Sequence, residues 1–248
     1  QSLSKILTDL DTCRHAFSES LDRLYKNESI VNNFKAVDNW VTNIVNNKGK
    51  LTGVPSGYKR VDMVTGGFQD GELIIIGGRP SMGKTAFATG IAKNSIDIYG
   101  KVPAFFSYEM NTRSLLMRMV CQDANVKYTR IKQGKIEPNE YQRIKKVIDG
   151  YLSWINDDKL IIDDHTYPLP VLVSKIETVL MSGPADYAII DYMQLIPVKG
   201  RSREEEVSEI SRQLKAVAKR TNKPIIALSQ LSRRSVRKGT KVGPPALD

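Results

Sequence analysis

Cysteine and histidine are nearly absent from this chain of 248 residues. Cys13 and Cys121 stand far apart with no C-x-x-C partner, so neither a disulfide framework nor a zinc site is expected. His15 and His165 are equally isolated and read as ordinary surface or core residues rather than metal ligands. No apolar run approaches the length of a membrane span, and the first residues show no apolar core of a secretory signal. The expectation is a soluble intracellular protein with no membrane partner. Internal repeats and extended low-complexity segments are also lacking.

Acidic residues are in deficit. The net charge is +10, which makes a polyanionic partner plausible, and its distribution is uneven. From Lys199 to Asp248 there are 13 Lys or Arg against 5 Asp or Glu. Lys199, Arg201, Arg203, Arg233, Arg234, Arg237, Lys238 and Lys241 fall in stretches without apolar periodicity, which assigns them to loops. A solvated basic surface is the alternative to a phosphate-binding one.

What is present is periodicity. The hydrophobic fraction, 41%, suits one substantial domain plus an appendage. Leu3, Ile6, Leu7, Leu10, Phe17, Leu21 and Leu24 recur at helical spacing and predict an amphipathic helix whose apolar face needs a partner. Residues 26–35 are polar and Asn-rich and read as a linker, followed by a short helical pattern at Val37, Val41, Ile44 and Val45. Residues 46–71 are rich in turn-formers and read as an irregular lead-in. Apolar runs then occur at 73–76, 102–106, 160–162, 187–190 and 225–228, separated by helical patterns at 113–122, 139–152, 170–181 and 204–221. Alternating strands and helices with continuously apolar strands predict an α/β fold, a mostly parallel twisted sheet with helices on both faces.

Between the first such strand and helix lies Gly78-Arg79-Pro80-Ser81-Met82-Gly83-Lys84-Thr85, the G-x-x-x-x-G-K-[ST] phosphate loop. Glycines let successive backbone N–H groups turn inward around phosphate oxygens, and the following helix offers its unpaired N-terminal amides to the same charge. Lys84 would reach the β and γ phosphates, and the Thr85 hydroxyl would ligate Mg²⁺. Glu72 to Gly77 is expected to form a buried parallel strand ahead of this loop.

Hydrolysis needs further groups at the same sheet edge. Tyr187 to Asp191 is an apolar strand ending in an acid, which could hold Mg²⁺ through water. Glu109, just past another strand, could polarise the attacking water or could simply face a helix N-terminus. Gln230 ends the last strand, where an amide could hydrogen-bond the γ-phosphate and report its loss to Ser232-Arg233-Arg234, or could be only a polar strand terminus. Asp163 and Asp164 read as loop residues.

Together these residues resemble the ATPase domain of DnaB-type replicative helicases, within the RecA-like P-loop class. The resemblance rests on LTGVPSGYKRVD, GRPSMGKT, FFSYEM, IIDYMQLI, EVSEISRQLKAVA and IALSQLSRR, and runs from about Leu51 to Asp248. It implies residues 1–50 as linker helix and linker segment, and 51–248 as a RecA-like ATPase core lacking its C-terminal part. It also implies Lys84 and Thr85 on phosphate and Mg²⁺, Glu109 as the water-activating carboxylate, Asp191 on Mg²⁺ and Gln230 as γ-phosphate sensor. Lys199, Arg201 and Arg203 would belong to a loop contacting DNA phosphates in a central channel. The implied activity is ATP hydrolysis at subunit interfaces of a hexameric ring, driving translocation on single-stranded DNA and duplex unwinding, with primase and a helicase loader as partners. The arginine finger and a second DNA loop are expected in sequence beyond Asp248. The implied location is cytoplasmic, in a bacterial cell or in the host of a virus. The competing reading is a RecA-like recombinase or clock-type ATPase that assembles with nucleotide and does not unwind.

Overall fold

The structure, a computed structural model, describes residues 51–200 and 202–231, together with Arg14, Ser18 and residues 30–39, 41–42 and 45–46. Internal contacts divide the chain into two units, residues 1–50 and 51–248. The described residues of the first unit are helical, including 30–35, which the sequence assigned to a linker. Ile30, Phe34, Val37, Val41 and Val45 form an exposed apolar stripe along that segment, and Phe34 is 71% exposed. Apart from Arg14 and Ser18, the helix predicted over residues 3–24 lies outside the described residues.

The second unit runs α1 (Lys59–Thr65), β1 (Leu73–Gly78), α2 (Lys84–Tyr99), β2 (Pro103–Ser107), α3 (Thr112–Asp123), α4 (Tyr128–Lys132), α5 (Pro138–Asn156), β3 (Ile161–Asp163), α6 (Leu169–Met181), β4 (Tyr187–Asp191), a 3-10 turn (Met193–Leu195), α7 (Arg203–Thr221) and β5 (Ile225–Gln230). All strand pairs are parallel, in the order β1-β5-β4-β2-β3. Alternation within each strand splits the core between two faces. Phe105, Tyr187, Ile189, Ile226 and Leu228 face Ile91, Leu115, Met119 and Ile144 of α2, α3 and α5. Ala104, Phe106, Ala188, Ile190, Ile225 and Ala227 face Leu172, Ile176, Ile210, Leu214 and Val217 of α6 and α7. Both faces of the central strands are dry, so these strands read as unbroken apolar runs rather than alternating ones. Burying each Leu or Ile contributes about 1.5–3 kcal/mol, enough collectively to hold the sheet edge rigid.

Helix ends follow local chemistry. Asn111 caps α3 by accepting the Ser114 amide at 2.9 Å. Ser202 caps α7, with Glu204, Glu205 and Glu206 in its first turn and Lys219 and Arg220 in its last, all favourable to the helix dipole. Glu137 and Glu140 form a reciprocal capping box at α5.

Two expectations are corrected. β1 is not a buried strand: among the described residues it is the sheet edge, and Ile75 is 47% exposed. The lead-in is also not wholly irregular, since it contains α1. Asp62 of α1 accepts from the Ser56 amide at 2.8 Å, the Ser56 hydroxyl at 2.7 Å and the Gly57 amide at 3.1 Å, closing the lead-in on itself. The Tyr58 ring then lies 4.7 Å from Phe87, and a Cβ on Gly90 would meet the Tyr58 hydroxyl at 2.0 Å. Only glycine at position 90 lets the lead-in lie flush against the helix that begins at the phosphate loop.

Candidate active site

Parallel strands end on one side, and four of them deliver the singled-out residues there. Gly78 ends β1, Asp191 ends β4, Gln230 ends β5 and Glu109 follows β2 by two residues. The register makes them neighbours: Gly78 pairs with Gln230, and Ser107 pairs with Asp191.

The turn from β1 to α2 takes a left-handed backbone at Ser81 (φ 64°) and at Gly83 (φ 83°). Left-handed residues of this kind can turn neighbouring backbone amides toward one anion, the Met82 amide here donating to the Arg79 carbonyl at 3.3 Å, and the first amides of a helix have no partner within it. The arrangement is an anion cradle. Lys84 Nζ donates to the carbonyls of Gly78 at 3.1 Å and Arg79 at 3.2 Å, so the ammonium is folded against the loop that would receive phosphate.

Thr85 Oγ1 donates to Asp191 Oδ2 at 2.8 Å, joining the first turn of α2 to the end of β4. Asp191 is 1% exposed, and its Oδ1 is buried with no hydrogen-bond partner. Burial pushes the Asp191 carboxyl up from its ordinary value, helped by the nearby Glu109 charge, while the Thr85 hydrogen bond, Lys84 and Arg118 pull it down. A buried acceptor of this kind costs free energy unless a cation or ordered water meets it. Hydroxyl and carboxylate oxygens are the hard donors that a magnesium ion takes, usually with several waters retained, so the residues present fit that ion. The peptide bond after Asp191 is cis.

Glu109 is exposed, and the Asp191 carbonyl sets its backbone by accepting from Tyr108 at 2.7 Å and Glu109 at 3.2 Å. The α3 helix begins at Thr112 with Asn111 as its cap, so Glu109 lies two residues ahead of that cap. The Glu109 charge is felt at the Asp191 carboxyl, which it helps to raise. Gln230 is also exposed, with its backbone held by the side chain of Gln194. Asp163 and Asp164 hold structure instead. Asp163 engages the His165 ring at 2.8 Å and the Tyr167 hydroxyl at 3.1 Å, and Asp164 accepts the Thr112 amide at 2.6 Å.

The basic residues separate. Lys199 is exposed ahead of α7, and Arg201 lies outside the described residues, as do Arg233, Arg234, Arg237, Lys238 and Lys241. Arg203 is not a loop residue: it opens α7, pairs with Glu206 at 2.7 Å and donates to the Gln194 carbonyl. Two residues of interest escaped the sequence reading. Arg118 shares with Thr85, Thr89 and Gln122 a cavity of about 410 Å³ behind the phosphate loop. Gln194 bridges β4 and β5. Gln194 falls inside IIDYMQLI but its bonds reach another strand, and Arg118 sits on α3 outside any of the quoted motifs. Among the described residues no cluster of His, Cys, Asp or Glu forms a separate metal site, and no helix is long and apolar enough to cross a membrane.

Residues 53–246 match the family model described as DnaB-like helicase C terminal domain. The chain is 40% identical over 191 residues to the replicative DNA helicase DnaB of Geobacillus stearothermophilus, covering 76% of this chain and 41% of that protein. Among solved structures, one described as an ATPase domain aligns with a TM-score of 0.71 at 32% identity, covering 80% of this chain and 71% of that one. A DnaB-like replicative helicase, described with its interactions with primase, aligns with a TM-score of 0.69 at 32% identity, covering 80% of this chain and 48% of that one. The chain thus spans about half the length of the curated relatives it matches.

Proposed function

Because this chain belongs to the DnaB-like helicase C-terminal domain family, we propose that it is the ATP-hydrolysing motor segment of a replicative DNA helicase. Residues 51–248 form the RecA-like core and residues 1–50 a linker segment. The observation that carries this reading is the junction of Thr85 with the buried Asp191, whose second oxygen lacks a partner beside the phosphate loop.

In the proposed reaction Gly78, Arg79, Pro80, Ser81, Met82 and Gly83 wrap the phosphates of ATP, with backbone amides as donors except at Pro80, which has no N–H and only shapes the loop. Lys84 exchanges the carbonyls of Gly78 and Arg79 for the β and γ phosphates. Thr85 and Asp191 would hold Mg²⁺, which neutralises phosphate charge when bound. Glu109 orients the attacking water and accepts its proton, and Gln230 donates its side-chain amide to the γ-phosphate. Lys199, Arg201 and Arg203 contact the phosphates of single-stranded DNA.

The exposed stripe of Ile30, Phe34, Val37, Val41 and Val45 docks on a neighbouring subunit, a head-to-tail contact that closes into a ring. Six subunits, a helicase loader and primase complete the assembly. Primase enters by relation to the structural neighbour studied with it. The setting is the compartment where the DNA is replicated, the cytoplasm of a bacterium or of a virus's host.

The test is ATP turnover and strand displacement on a forked duplex by the full-length protein. Single-stranded DNA should stimulate turnover, and Lys84→Ala should abolish both activities. Normal hydrolysis by Lys84→Ala, or filament growth without strand displacement by the wild type, would refute the assignment.

A further inference from the structure

β5 extends past β4. The last paired positions between them are Ile190 and Ala227, yet β5 continues through Leu228 and Ser229 to Gln230. At this overhang the side chain of Gln194 takes the place of a strand. Its Oε1 accepts the Gln230 amide at 3.0 Å, while its Nε2 donates to the Gln230 carbonyl at 3.3 Å and to the Ser229 hydroxyl at 2.7 Å. A carboxamide is the one uncharged side-chain group that offers donor and acceptor with the spacing of a peptide unit. Because a backbone N–H can only donate, its position fixes which amide atom faces Gln230.

The same residue is held from the other side. Arg203, first in α7, donates to the Gln194 carbonyl and pairs with Glu206. Tyr192, Gln194, Arg203, Val207, Gln230 and Leu231 border one cavity of about 620 Å³, so the bridge adjoins open space rather than a packed core. Lys199 lies between the two anchored points, the 3-10 turn and the start of α7.

We propose that Gln194 is a positioning residue that registers Gln230 at the nucleotide edge and links it, through Arg203, to the basic segment preceding α7. This rests on the helicase reading above and adds a named coupling residue to it. Loss of the γ-phosphate contact at Gln230 would shift the overhang of β5. Gln194 carries that shift to the 3-10 turn, and the turn carries it to the segment holding Lys199. Bound DNA acts in reverse through the same bonds.

The experiment compares full-length wild type with Gln194→Leu, which nearly keeps the volume and removes all three side-chain hydrogen bonds. The readout is the ratio of ATP turnover with and without oligo-dT, alongside KM for ATP and thermal melting. The expected result is a stimulation ratio reduced about tenfold, the low end of the loss anticipated for three neutral hydrogen bonds, with KM held within about twofold. Should the leucine variant fail to fold, Gln194→Glu, which keeps the acceptor and loses both N–H donors, reads the same ratio. A folded variant with wild-type stimulation overturns the proposal. So does a rise in KM with the ratio unchanged, which marks a merely structural role. Absence of stimulation in the wild type instead sinks the helicase reading on which the proposal rests.

Discussion

Replacing Asp191 with asparagine should stabilise the nucleotide-free protein while removing its response to magnesium nucleotide. Asp191 is 1% exposed, and one of its oxygens has no hydrogen-bond partner. Leaving a buried acceptor unmet costs about 1–3 kcal/mol, and more when it is charged. Asparagine keeps the shape and an oxygen for the Thr85 hydroxyl, but it still buries one polar atom without a partner. The net gain is therefore about 1 kcal/mol, near the low end of that range. For a domain of this size such a gain raises Tm by about 2–4 °C. Wild type, in contrast, should gain about 2.7 kcal/mol from magnesium nucleotide at 100 times its Kd, and the variant should lose most of that gain. The assay is a pair of thermal melts for each protein, with and without magnesium and a non-hydrolysable ATP analogue. The two proteins should exchange rank between conditions. A lower Tm for the ligand-free Asp191→Asn protein, or an undiminished shift on adding magnesium nucleotide, would refute the reasoning.

Alkaline pH should act through two buried tyrosines. Burial, reinforced by the 2.7 Å hydrogen bond to Asp123, raises Tyr151 well above its ordinary pKa, and burial raises the wholly enclosed Tyr187 likewise. A raised folded pKa means their contribution is fully present below pH ~10 and is lost as pH climbs beyond it, by about 1.4 kcal/mol per pH unit for each tyrosine. The last two of the ten tyrosines to ionise should therefore do so only together with unfolding, and ionisation of all ten in an intact fold would contradict this. In the core, Leu214→Ala should destabilise by about 2–5 kcal/mol, since Leu214 is fully enclosed between α7 and the sheet. Urea unfolding with an unchanged slope checks it, and a loss below about 1 kcal/mol would mean that the face collapses around the gap.

The five strands were legible because their apolar runs are bounded by turn residues, and in the central ones burial on both faces leaves no polar interruption, as in Tyr187 to Ile190. The phosphate loop and the acids at strand ends were legible for a similar reason, since their chemistry is concentrated within a few consecutive residues. What escaped is held by distant partners. The α1 segment exposes Met63 at 75% and Val64 at 87%, so no apolar stripe betrays a helix, and Asp62 is fixed by Ser56 and Gly57 of the lead-in. The α4 segment buries nothing. Half-exposure of β1 could not be read because a strand's neighbours, not its own residues, decide whether it lies at an edge. Arg203 read as a loop residue because nothing apolar surrounds it, although Ser202 and the three glutamates after it spell a helix start. Gln194 illustrates the limit best: its motif neighbours mark a strand end, but the bonds it makes reach Ser229 and Gln230 on another strand.

The pairing of β1 with β5 also governs when the protein can first work. Leu73 finds its partner only at Ile225, so during synthesis the phosphate loop is made early and then waits until β5 has followed it. A contact closed so late is slow to form because the intervening chain must be ordered first. A nascent chain that has exposed Gly78 to Thr85 but not yet Gln230 would carry the loop without the strand that borders it. The bordered loop is thereby tied to the synthesis of β5, and a chain stalled before that strand would present the loop without the register that sets Gly78 beside Gln230.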